Sequence, residues 1–317
     1  MSRVSEIADK IRTYSVRDIF TYTGVSKMRI LRQLVIYVVY KFLQVRHVVC
    51  PVNSYRMKLD FATPGLSKVL FVYGTRELPD TEVAQQIISE GMVVADIGAN
   101  IGYYTLLEAM QVGETGYVYA FEPDPRNVPL LKENIALNNM ESRVTTYDTA
   151  VSNVAERKRF QLGERSNVSS FVDRPDVVDS VEVDCIALHE FEHIDKVDML
   201  RMDAEGYECK IIEGVLSYLE QNSRPFKIML EVHPDEYNTS DLNFKANLEA
   251  LFNLGFTVTH AIAGTNFKPD YNALSYESQG HWVETKHPRD LFMNITNKDA
   301  LDLIDRKMIR AMVISRT

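Results

Sequence analysis

A run of β-branched and apolar residues from Met92 to Ile97, interrupted only by Asp96, leads into a loop that carries two glycines. A helical pattern over Tyr103–Gln111 and a second apolar run, Tyr117–Phe121, follow it. Continuous rather than alternating apolar residues are typical of strands buried on both faces. Two such strands joined by a helix predict a right-handed crossover between parallel neighbours. The unit therefore predicts an α/β fold, with helices on both faces of a mostly parallel sheet.

The same alternation continues towards the C-terminus, and it suggests a division into four parts. Residues 1–50 form a basic, partly apolar helical extension, and 51–92 a lead-in strand and helix. Residues 93–288 form the main domain, and 289–317 a helical C-terminal tail. Within the domain, 151–186 break the alternation with short antiparallel strands. Further strands are predicted at Arg143–Tyr147, Val197–Met202, Phe226–Val232 and Phe256–Ala261. Further helices are predicted over Tyr207–Gln221 and Leu242–Leu254, and another is predicted to begin with Asp124 as its N-cap.

The loop from Asp96 to Gly102 lies where open α/β sheets bind ligands, at the carboxyl end of a strand. A dinucleotide fingerprint needs glycine at position 100 and glycine or alanine at position 103, but the chain has Asn100 and Tyr103. The P-loop pattern fails as well, because no Gly-Lys-Ser/Thr follows. The loop therefore argues against a bound pyrophosphate and against a nicotinamide-dependent oxidoreductase.

Glu122 lies 24 residues beyond Gly98, at the end of the second strand. An acidic residue at this point accepts hydrogen bonds from both hydroxyls of a ribose. Together with Asp96, it predicts a nucleoside cofactor without a phosphate and with a cationic end. S-adenosylmethionine, which carries a sulfonium and an ammonium group, fits this description.

Five sequence blocks, in order and at suitable spacing, closely resemble the FkbM-type S-adenosylmethionine-dependent methyltransferases over about residues 55–262. The blocks are Val94-Ala-Asp-Ile-Gly-Ala-Asn-Ile-Gly-Tyr-Tyr-Thr105, Ala120-Phe-Glu-Pro-Asp-Pro125, Lys132-Glu-Asn-Ile-Ala-Leu-Asn138, Thr149-Ala-Val-Ser152 and Arg201-Met-Asp-Ala-Glu-Gly-Tyr-Glu208. The resemblance implies a Rossmann-like class I methyltransferase fold. Its sheet would have seven strands, the last of them antiparallel and near His281–Thr285.

The resemblance also implies S-adenosyl-L-methionine as cofactor and gives individual residues a role. The loop residues at the methionine end would be Asp96, Gly98, Asn100 and Gly102. Glu122 would bind the ribose, and Asp148 is a weaker candidate for the adenine end. The chain departs from the family pattern at Arg201 and Met202, where Lys-Ile or Lys-Leu is more usual, and at Ala204, where Val is common.

Candidate catalytic residues follow the fourth and fifth strands of the domain. Asp203 and Glu205 come after one strand, and Glu231 and His233 after the next. A hydroxyl acceptor needs a base, and His233 is the first choice because histidine titrates near neutrality. Asp203 is its competitor. No spacing signature of a metal site is present, so no metal is predicted.

The residues of the cofactor loop do not identify the methyl acceptor. The resemblance implies O-methylation of a hydroxyl on a sugar, glycolipid or natural product, and the polar segments 151–172 and 266–280 would cover such an acceptor. A catalytically silent methyltransferase-like binding module remains an alternative, and the oligomeric state cannot be read. Intact acidic residues at Asp96, Glu122 and Asp203 count against the silent module.

Charge is distributed unevenly along the chain. The net charge of −9 argues against a nucleic-acid partner, yet residues 1–50 carry nine Lys and Arg against three Asp and Glu, or +6, which leaves −15 for the rest. The apolar run Leu34–Tyr40 is too short to span a bilayer, which needs ~20 apolar residues. It fits either a helix packed on the body or an interfacial helix. Three scattered cysteines and no signal peptide predict a cytoplasmic enzyme, with peripheral contact at the inner face of the membrane through residues 1–50.

Overall fold

The computed structural model describes residues 20–62, 64–163, 169–171, 179–237 and 242–317. In chain order the strands are β1 (His47–Val52), β2 (Tyr55–Asp60), β3 (Val93–Ile97), β4 (Tyr117–Phe121), β5 (Val144–Tyr147), β6 (Ala150–Ser152), β7 (Glu156–Gln161), β8 (Ser180–Ala187), β9 (Met199–Met202), β10 (Phe226–Glu231), β11 (Thr257–Gly264), β12 (Gly280–Glu284), β13 (His287–Met293) and β14 (Ala311–Arg316). The α-helices are α1 (Lys27–Phe42), α2 (Pro64–Tyr73), α3 (Leu78–Ile87), α4 (Tyr103–Gln111), α5 (Val128–Leu137), α6 (Glu208–Gln221), α7 (Phe244–Asn253), α8 (Lys268–Ala273) and α9 (Asn297–Asp305).

The large sheet confirms the predicted class I methyltransferase fold. Its order is β12-β13-β11-β14-β10-β9-β3-β4-β5. Five adjacent strands, β5, β4, β3, β9 and β10, run parallel to one another. Strand β14 is antiparallel to both β10 and β11. Numbered by appearance within the domain, β3, β4, β5, β9, β10, β11 and β14 form a seven-stranded core in the order 3-2-1-4-5-7-6. Among the described strands, β12 and β13 extend that core at the β11 edge.

The antiparallel strand of the core is β14, and the prediction that placed it near His281–Thr285 is wrong. That segment forms β12, an edge strand that pairs with β13 in a hairpin. The first four residues of β14 are buried, whereas in β12 only Trp282 is buried. A strand inserted between two others needs such a continuous apolar run.

Residues 289–317 are therefore not a helical tail. Helix α9 is flanked there by the end of β13 and by β14, which completes the sheet. The region between β6 and β8 does contain short strands, as expected, in a small sheet of order β6-β8-β7. The predicted cap Asp124 is also corrected, because α5 begins at Val128 and the Asp124 carboxylate accepts from the Arg126 amide at 2.9 Å.

Two apolar cores lie on the two faces of the large sheet. Helices α1 to α5 contribute to one core, and α6, α7 and α9 to the other. Because β3, β4, β9 and β10 are parallel, their carboxyl ends meet at one edge. The loops after these strands build the site described next.

Candidate functional site

A cavity of about 210 Å³ opens at the carboxyl ends of the parallel strands. Its walls come from the loop after β3, the end of β4, the turn between β5 and β6, the loop after β9 and the end of β10. Its lining residues include Gly98, Asn100, Glu122, Thr149, Arg201, Asp203, Glu205 and Glu231. The sequence had predicted six of these eight as site candidates, all except Thr149 and Arg201.

The loop after β3 is shaped by left-handed backbone at three positions. Gly98 has φ +82°, and a Cβ there would lie 2.0 Å from the Asp203 carbonyl oxygen. Asn100 has φ 52°, and Gly102, at the N-cap of α4, has φ +94°. A side chain at Gly98 is excluded because β3 and β9 approach each other through backbone at this point. Gly102 lies beyond the cavity wall, against Leu131.

Glu122 connects the loop to the end of β4. Its Oε2 accepts from the backbone N–H of Asn100 at 2.7 Å. Its Oε1 accepts from the backbone N–H of Asp124 at 2.9 Å and from the Asn127 side-chain amide at 3.2 Å. Burial raises the pKa of the carboxyl to about 7, against the lowering effect of these donors. A carboxylate has about four acceptor positions, so one is left for a hydroxyl in the cavity.

Asp96 lies behind the loop and is fully buried. It accepts from the Thr105 hydroxyl at 2.6 Å and lies 3.4 Å from the Arg201 guanidinium. Burial raises its pKa, although the nearby cation lowers it. In this position Asp96 supports the loop from below rather than lining the cavity.

Asp148 is exposed and paired with Lys132 at 2.8 Å, outside the cavity wall. Its neighbour Thr149 lines the wall instead, and the buried Thr149 hydroxyl has no hydrogen-bond partner among the described residues. Both residues lie in the turn between β5 and β6, and only the Thr149 side chain faces the cavity. The structure therefore favours Thr149 over Asp148 at the far end of the cavity.

Arg201 and Asp203 form an ion pair in the cavity wall. The guanidinium lies 3.3 Å from Asp203 Oδ2 and stacks on Tyr104, with its carbon 4.0 Å from the ring centroid. Burial acts to raise the pKa of Asp203, but Arg201, His233 and Arg76 together lower it below the ordinary value. Asp203 is thus an ionised carboxylate, whose Oδ1 is buried without a hydrogen-bond partner in the described part of the chain.

Glu205 follows in a strained turn at the cavity edge. It has φ 50°, and Gly206 after it has φ +99°. Left-handed backbone at a non-glycine residue costs roughly 1–3 kcal/mol and is frequent at functional sites. The turn places Glu205 in the wall beside Asp203.

Glu231, Asp203 and His233 come together at the ends of β9 and β10. One carboxylate oxygen from each acid and one ring nitrogen of the histidine all lie within 4.8 Å of one another. Burial and the Asp203 charge raise the pKa of Glu231, in the direction opposite to Asp203. Of the three, Glu231 and Asp203 line the cavity, whereas His233 does not.

His233 lies behind the two carboxylates, surrounded by negative charge. Its Nδ1 is 3.0 Å from Glu208 Oε1, and its Nε2 is 3.9 Å from Asp203 Oδ1. Although burial lowers the pKa of the imidazole, Glu208, Glu231 and Asp203 raise it to about 10. The resting side chain is an imidazolium, a state in which histidine cannot accept a proton.

Sequence reasoning ranked several of these residues too low. Arg201 was noted only as a departure from a pattern, and Glu208 only as the end of a block. Tyr104 and Arg76 also line the cavity, without a distinguishing signal in the sequence. A charged residue inside the buried strand β9 was the one available clue to Arg201.

Family comparison agrees with this geometry. The model of the FkbM methyltransferase domain matches residues 96–258, about half of the chain, including the glycine loop, Glu122, Asp203 and Glu231. This chain belongs to the FkbM methyltransferase family. Its cofactor is therefore S-adenosylmethionine.

Solved structures similar to this FkbM-family methyltransferase include other methyltransferases. TYW2 of M. jannaschii, in complex with AdoMet, is 17% identical, with TM-score 0.41 and coverage of 78% of this chain and 87% of that chain. An FkbM methyltransferase from Methylobacillus flagellatus KT is 16% identical, with TM-score 0.34 and coverage of 64% and 44%. An O-methyltransferase from Thermotoga maritima is 15% identical, with TM-score 0.37 and coverage of 69% and 65%. A search of curated proteins finds no significant match.

The residues present in this FkbM-family methyltransferase fit the cofactor. Two buried polar atoms at the cavity, Thr149 Oγ1 and Asp203 Oδ1, have no partner among the described residues, as expected where a ligand completes the bonding. Glu122 retains an acceptor position for a ribose hydroxyl. Carboxylates and backbone carbonyls suit a cofactor whose reactive end is cationic.

Proposed function

We propose that this FkbM-family methyltransferase methylates a hydroxyl group of a sugar, glycolipid or natural-product acceptor. The observation that carries the proposal is the pair of carboxylates at the cavity, Asp203 and Glu231, whose pKa values are shifted in opposite directions. Two acidic groups with separated pKa values, side by side at a site, have different protonation roles.

Glu231 is the proposed general base, in place of His233. An alcohol is a poor nucleophile until its proton begins to leave, and a carboxylate with a raised pKa accepts that proton more readily. Glu231 lies in the cavity wall, at the end of β10. His233 is already protonated, so its charge holds Glu208 and Asp203 in place. We assign it a positioning role.

Asp203 and Glu205 complete the reacting end of the site. Asp203 stays ionised beside Arg201, and its negative charge favours a cationic group in front of it. Glu205, on the adjacent turn, is placed to accept a hydrogen bond from another hydroxyl of the acceptor. These two residues orient the reactants, which accounts for a large part of the rate in a displacement reaction.

S-adenosylmethionine, when bound, supplies a methyl group on a sulfonium that leaves as a neutral thioether. The acceptor O–H bond breaks as its proton passes to the Glu231 carboxylate. The acceptor oxygen keeps the electron pair and uses it to form the bond to the methyl carbon. Glu231 then returns the proton to water. No redox partner or metal ion is needed for this balance.

Aromatic side chains in the wall support a ring-shaped acceptor. Phe160 and Phe171, from the region of the small sheet, and Tyr104 and Tyr207 line the same cavity. Aromatic faces pack against sugar rings and polyketide-like carbon skeletons, while the nearby carboxylates bind hydroxyls. The segment 266–280, which was expected to cover the acceptor, does not line this cavity. Its Tyr271 is instead buried against Phe292, with ring centroids 3.9 Å apart.

The test is methyl-labelled cofactor supplied to the purified protein with an extract of its own cells. We expect label in a product that survives mild alkali, as a methyl ether does and a methyl ester does not. Glu231→Gln should lower this labelling by ~10²–10⁴-fold with little change in cofactor affinity. Glu220→Gln, on an exposed position of α6, is the matched control.

One result would overturn the proposal of hydroxyl methylation, and two others would assign the base to another residue. Label found only in alkali-labile esters, or only in RNA, would contradict hydroxyl methylation of a small or glycan acceptor. If Glu231→Gln stays fully active while His233→Ala, folded by circular dichroism, loses turnover, the base is His233. Loss in Asp203→Asn alone would transfer the role to Asp203.

A further inference from the structure

Helix α1 exposes an apolar face to solvent. Phe42 is 85% exposed, Met28 75% and Val38 65%. Leu31, Val35 and Val39 are exposed on the same helix. At 100° per residue, these side chains share an arc of about 100°, so they form one continuous stripe along the helix. Single exposed apolar residues are ordinary, but a contiguous stripe marks an interaction surface.

The opposite face of α1 is packed firmly onto the body. Ile30 is fully buried, and the Tyr37 ring meets Phe61 edge-on at 5.0 Å. Gln33 donates to the Phe71 carbonyl at 3.3 Å, and Lys41 to the Phe61 carbonyl at 3.2 Å. The apolar stripe is therefore a fixed surface feature, since the helix already has a complete packing partner on its other side.

Helix α1 itself carries charge of one sign. It has four Lys and Arg and no Asp or Glu, in a protein with net charge −9. Arg32 and Lys27 are exposed and lie on the two borders of the stripe. An apolar strip between basic borders has the pattern of a helix that lies in the plane of a membrane interface.

We propose that α1 binds the surface of a bilayer that contains anionic lipid. The stripe would enter the boundary between headgroups and acyl chains, and the basic borders would contact lipid phosphates. Among the described residues, no helix is long and apolar enough to cross a bilayer. Helix α1 itself has only 16 residues, so it lies on the surface.

A second copy of the chain is a poorer occupant of this surface. Two α1 helices packed stripe to stripe would bring Arg32 and Lys27 towards the same residues of the other copy. Helix α1 contains no carboxylate that could pair with them. An anionic bilayer satisfies the apolar stripe and both basic borders at once.

The test is sedimentation of the full chain with vesicles of phosphatidylcholine, alone or mixed with phosphatidylglycerol. Binding should require the anionic lipid and weaken at high salt. Each basic residue near an anionic leaflet contributes roughly a fivefold factor in partitioning, so Arg32→Glu should weaken binding at least that much. Phe42→Asp and Val38→Asp should weaken it further, because each places a charge in the apolar boundary.

Matched controls come from exposed apolar residues elsewhere. Met110 is 41% exposed and Val154 49%, and neither belongs to the α1 stripe. Met110→Asp and Val154→Asp should leave vesicle binding unchanged. Cofactor affinity and thermal midpoint, measured for each variant, show whether the fold is intact. Removal of residues 1–50 is not a clean test, because Ile30 and Cys50 belong to the core.

Four outcomes would overturn the proposal. The first is full-length protein that stays in the supernatant with anionic vesicles at low salt. The second is a folded Phe42→Asp protein that binds as well as the wild type. The third is a lipid-free dimer that Phe42→Asp dissociates, since the stripe would then be an interface between copies. Loss of binding in an Arg12→Glu, Arg17→Glu double variant alone would place the contact outside α1.

Discussion

His233 Nδ1 lies 3.0 Å from Oε1 of the fully buried Glu208, and this contact joins the end of β10 to the first turn of α6. Glu208 also accepts from the Ala204 amide and the Tyr237 hydroxyl, both at 2.9 Å. A buried carboxylate with three donors is well compensated. The pair therefore fixes the loop after β9, which carries Asp203 and Glu205.

We expect His233→Gln to destabilise the protein in a pH-dependent way. The folded pKa of His233, about 10, lies above its ordinary value of 6.5. Its stabilising contribution is thus fully present below pH 6.5 and is lost as the pH rises towards 10. At pH 6 the variant should lose about 1.5–3 kcal/mol of unfolding free energy, the value of a hydrogen bond to a charged group.

Urea unfolding of both proteins from pH 6 to 10 measures this difference, which should shrink as the pH rises. His287→Gln is the control, because partial desolvation and nearby cations lower the pKa of that surface histidine instead of raising it. Substitution of His287 should not lower the free energy of unfolding above pH 7. A constant difference for His233→Gln across the range would contradict an imidazolium at this position.

Glu122 should make cofactor binding pH-dependent. A ribose hydroxyl bound at Glu122 would donate to the carboxylate form, whereas a carboxyl with pKa about 7 is mostly protonated at pH 6. If only the carboxylate form binds, affinity should be nearly constant above pH 8 and about tenfold weaker at pH 6. Glu122→Gln should bind at least tenfold more weakly at pH 8, and without this pH dependence.

Calorimetry with S-adenosylmethionine and with its demethylated product measures both effects. Asp148→Asn is the matched control, because Asp148 is paired with Lys132 at the surface. Unchanged affinity in a folded Glu122→Gln protein would remove Glu122 from the ribose site. A large loss in Asp148→Asn would restore Asp148 to the adenine end.

Local patterns in the sequence were enough to predict the elements around the cofactor loop. Helix α4 and strand β4 have the bounds that periodicity predicted, Tyr103–Gln111 and Tyr117–Phe121. Buried parallel strands and glycine turns depend mainly on neighbouring residues, so they can be read from a single sequence. The meeting of Asp203 and Glu122 in one cavity followed from the rule that parallel strands end at the same edge.

Features that depend on distant contacts could not be predicted in the same way. β14 and β12 are both short strands of the large sheet, and only tertiary packing decides which of them is inserted between β10 and β11. The charge state of His233 depends on Glu208, 25 residues away in the chain. Side-chain direction separates Thr149, the first residue of its predicted block, from Asp148, which directly precedes it.

Gly98→Ala should disrupt the site much more than an equivalent change elsewhere. Gly98 has φ +82° and a carbonyl oxygen 2.0 Å from the position of a Cβ. Gly91 has φ +84°, but its nearest neighbour, Thr115 Oγ1, would lie 3.6 Å away. Gly91→Ala should therefore cost only about 1 kcal/mol for left-handed backbone. Gly98→Ala adds a backbone clash between β3 and β9.

Thermal unfolding and cofactor titration of the two variants separate strain from contact. We expect Gly91→Ala to bind the cofactor normally, and Gly98→Ala to lose most binding or fail to fold. Equal behaviour of the two variants would mean that the loop after β3 can move away from Asp203 at no cost.

Arg201 should be necessary both for the fold and for the state of Asp203. Its guanidinium lies 3.4 Å from Asp96 and 3.3 Å from Asp203, and it stacks on Tyr104. Arg201→Met leaves two largely buried carboxylates without their cation, a change that typically costs about 3–5 kcal/mol. Lysine is more usual at this position in the family. Arg201→Lys keeps the charge but loses the stacking and the two-armed geometry, so its unfolding free energy should lie between those of the wild type and Arg201→Met.

Unfolding free energies of wild type, Arg201→Met, Asp203→Asn and the double variant form a cycle that isolates the pair. We expect the double variant to be more stable than Arg201→Met, because it removes one unpaired charge. The pKa of Asp203 is lowered in the fold, so its contribution is present above its ordinary value of 3.8 and is lost as the pH falls below it. The difference between wild type and Arg201→Met should therefore narrow in acid. A double variant no more stable than Arg201→Met, at any pH, would show that Asp203 does not depend on Arg201 for its charge.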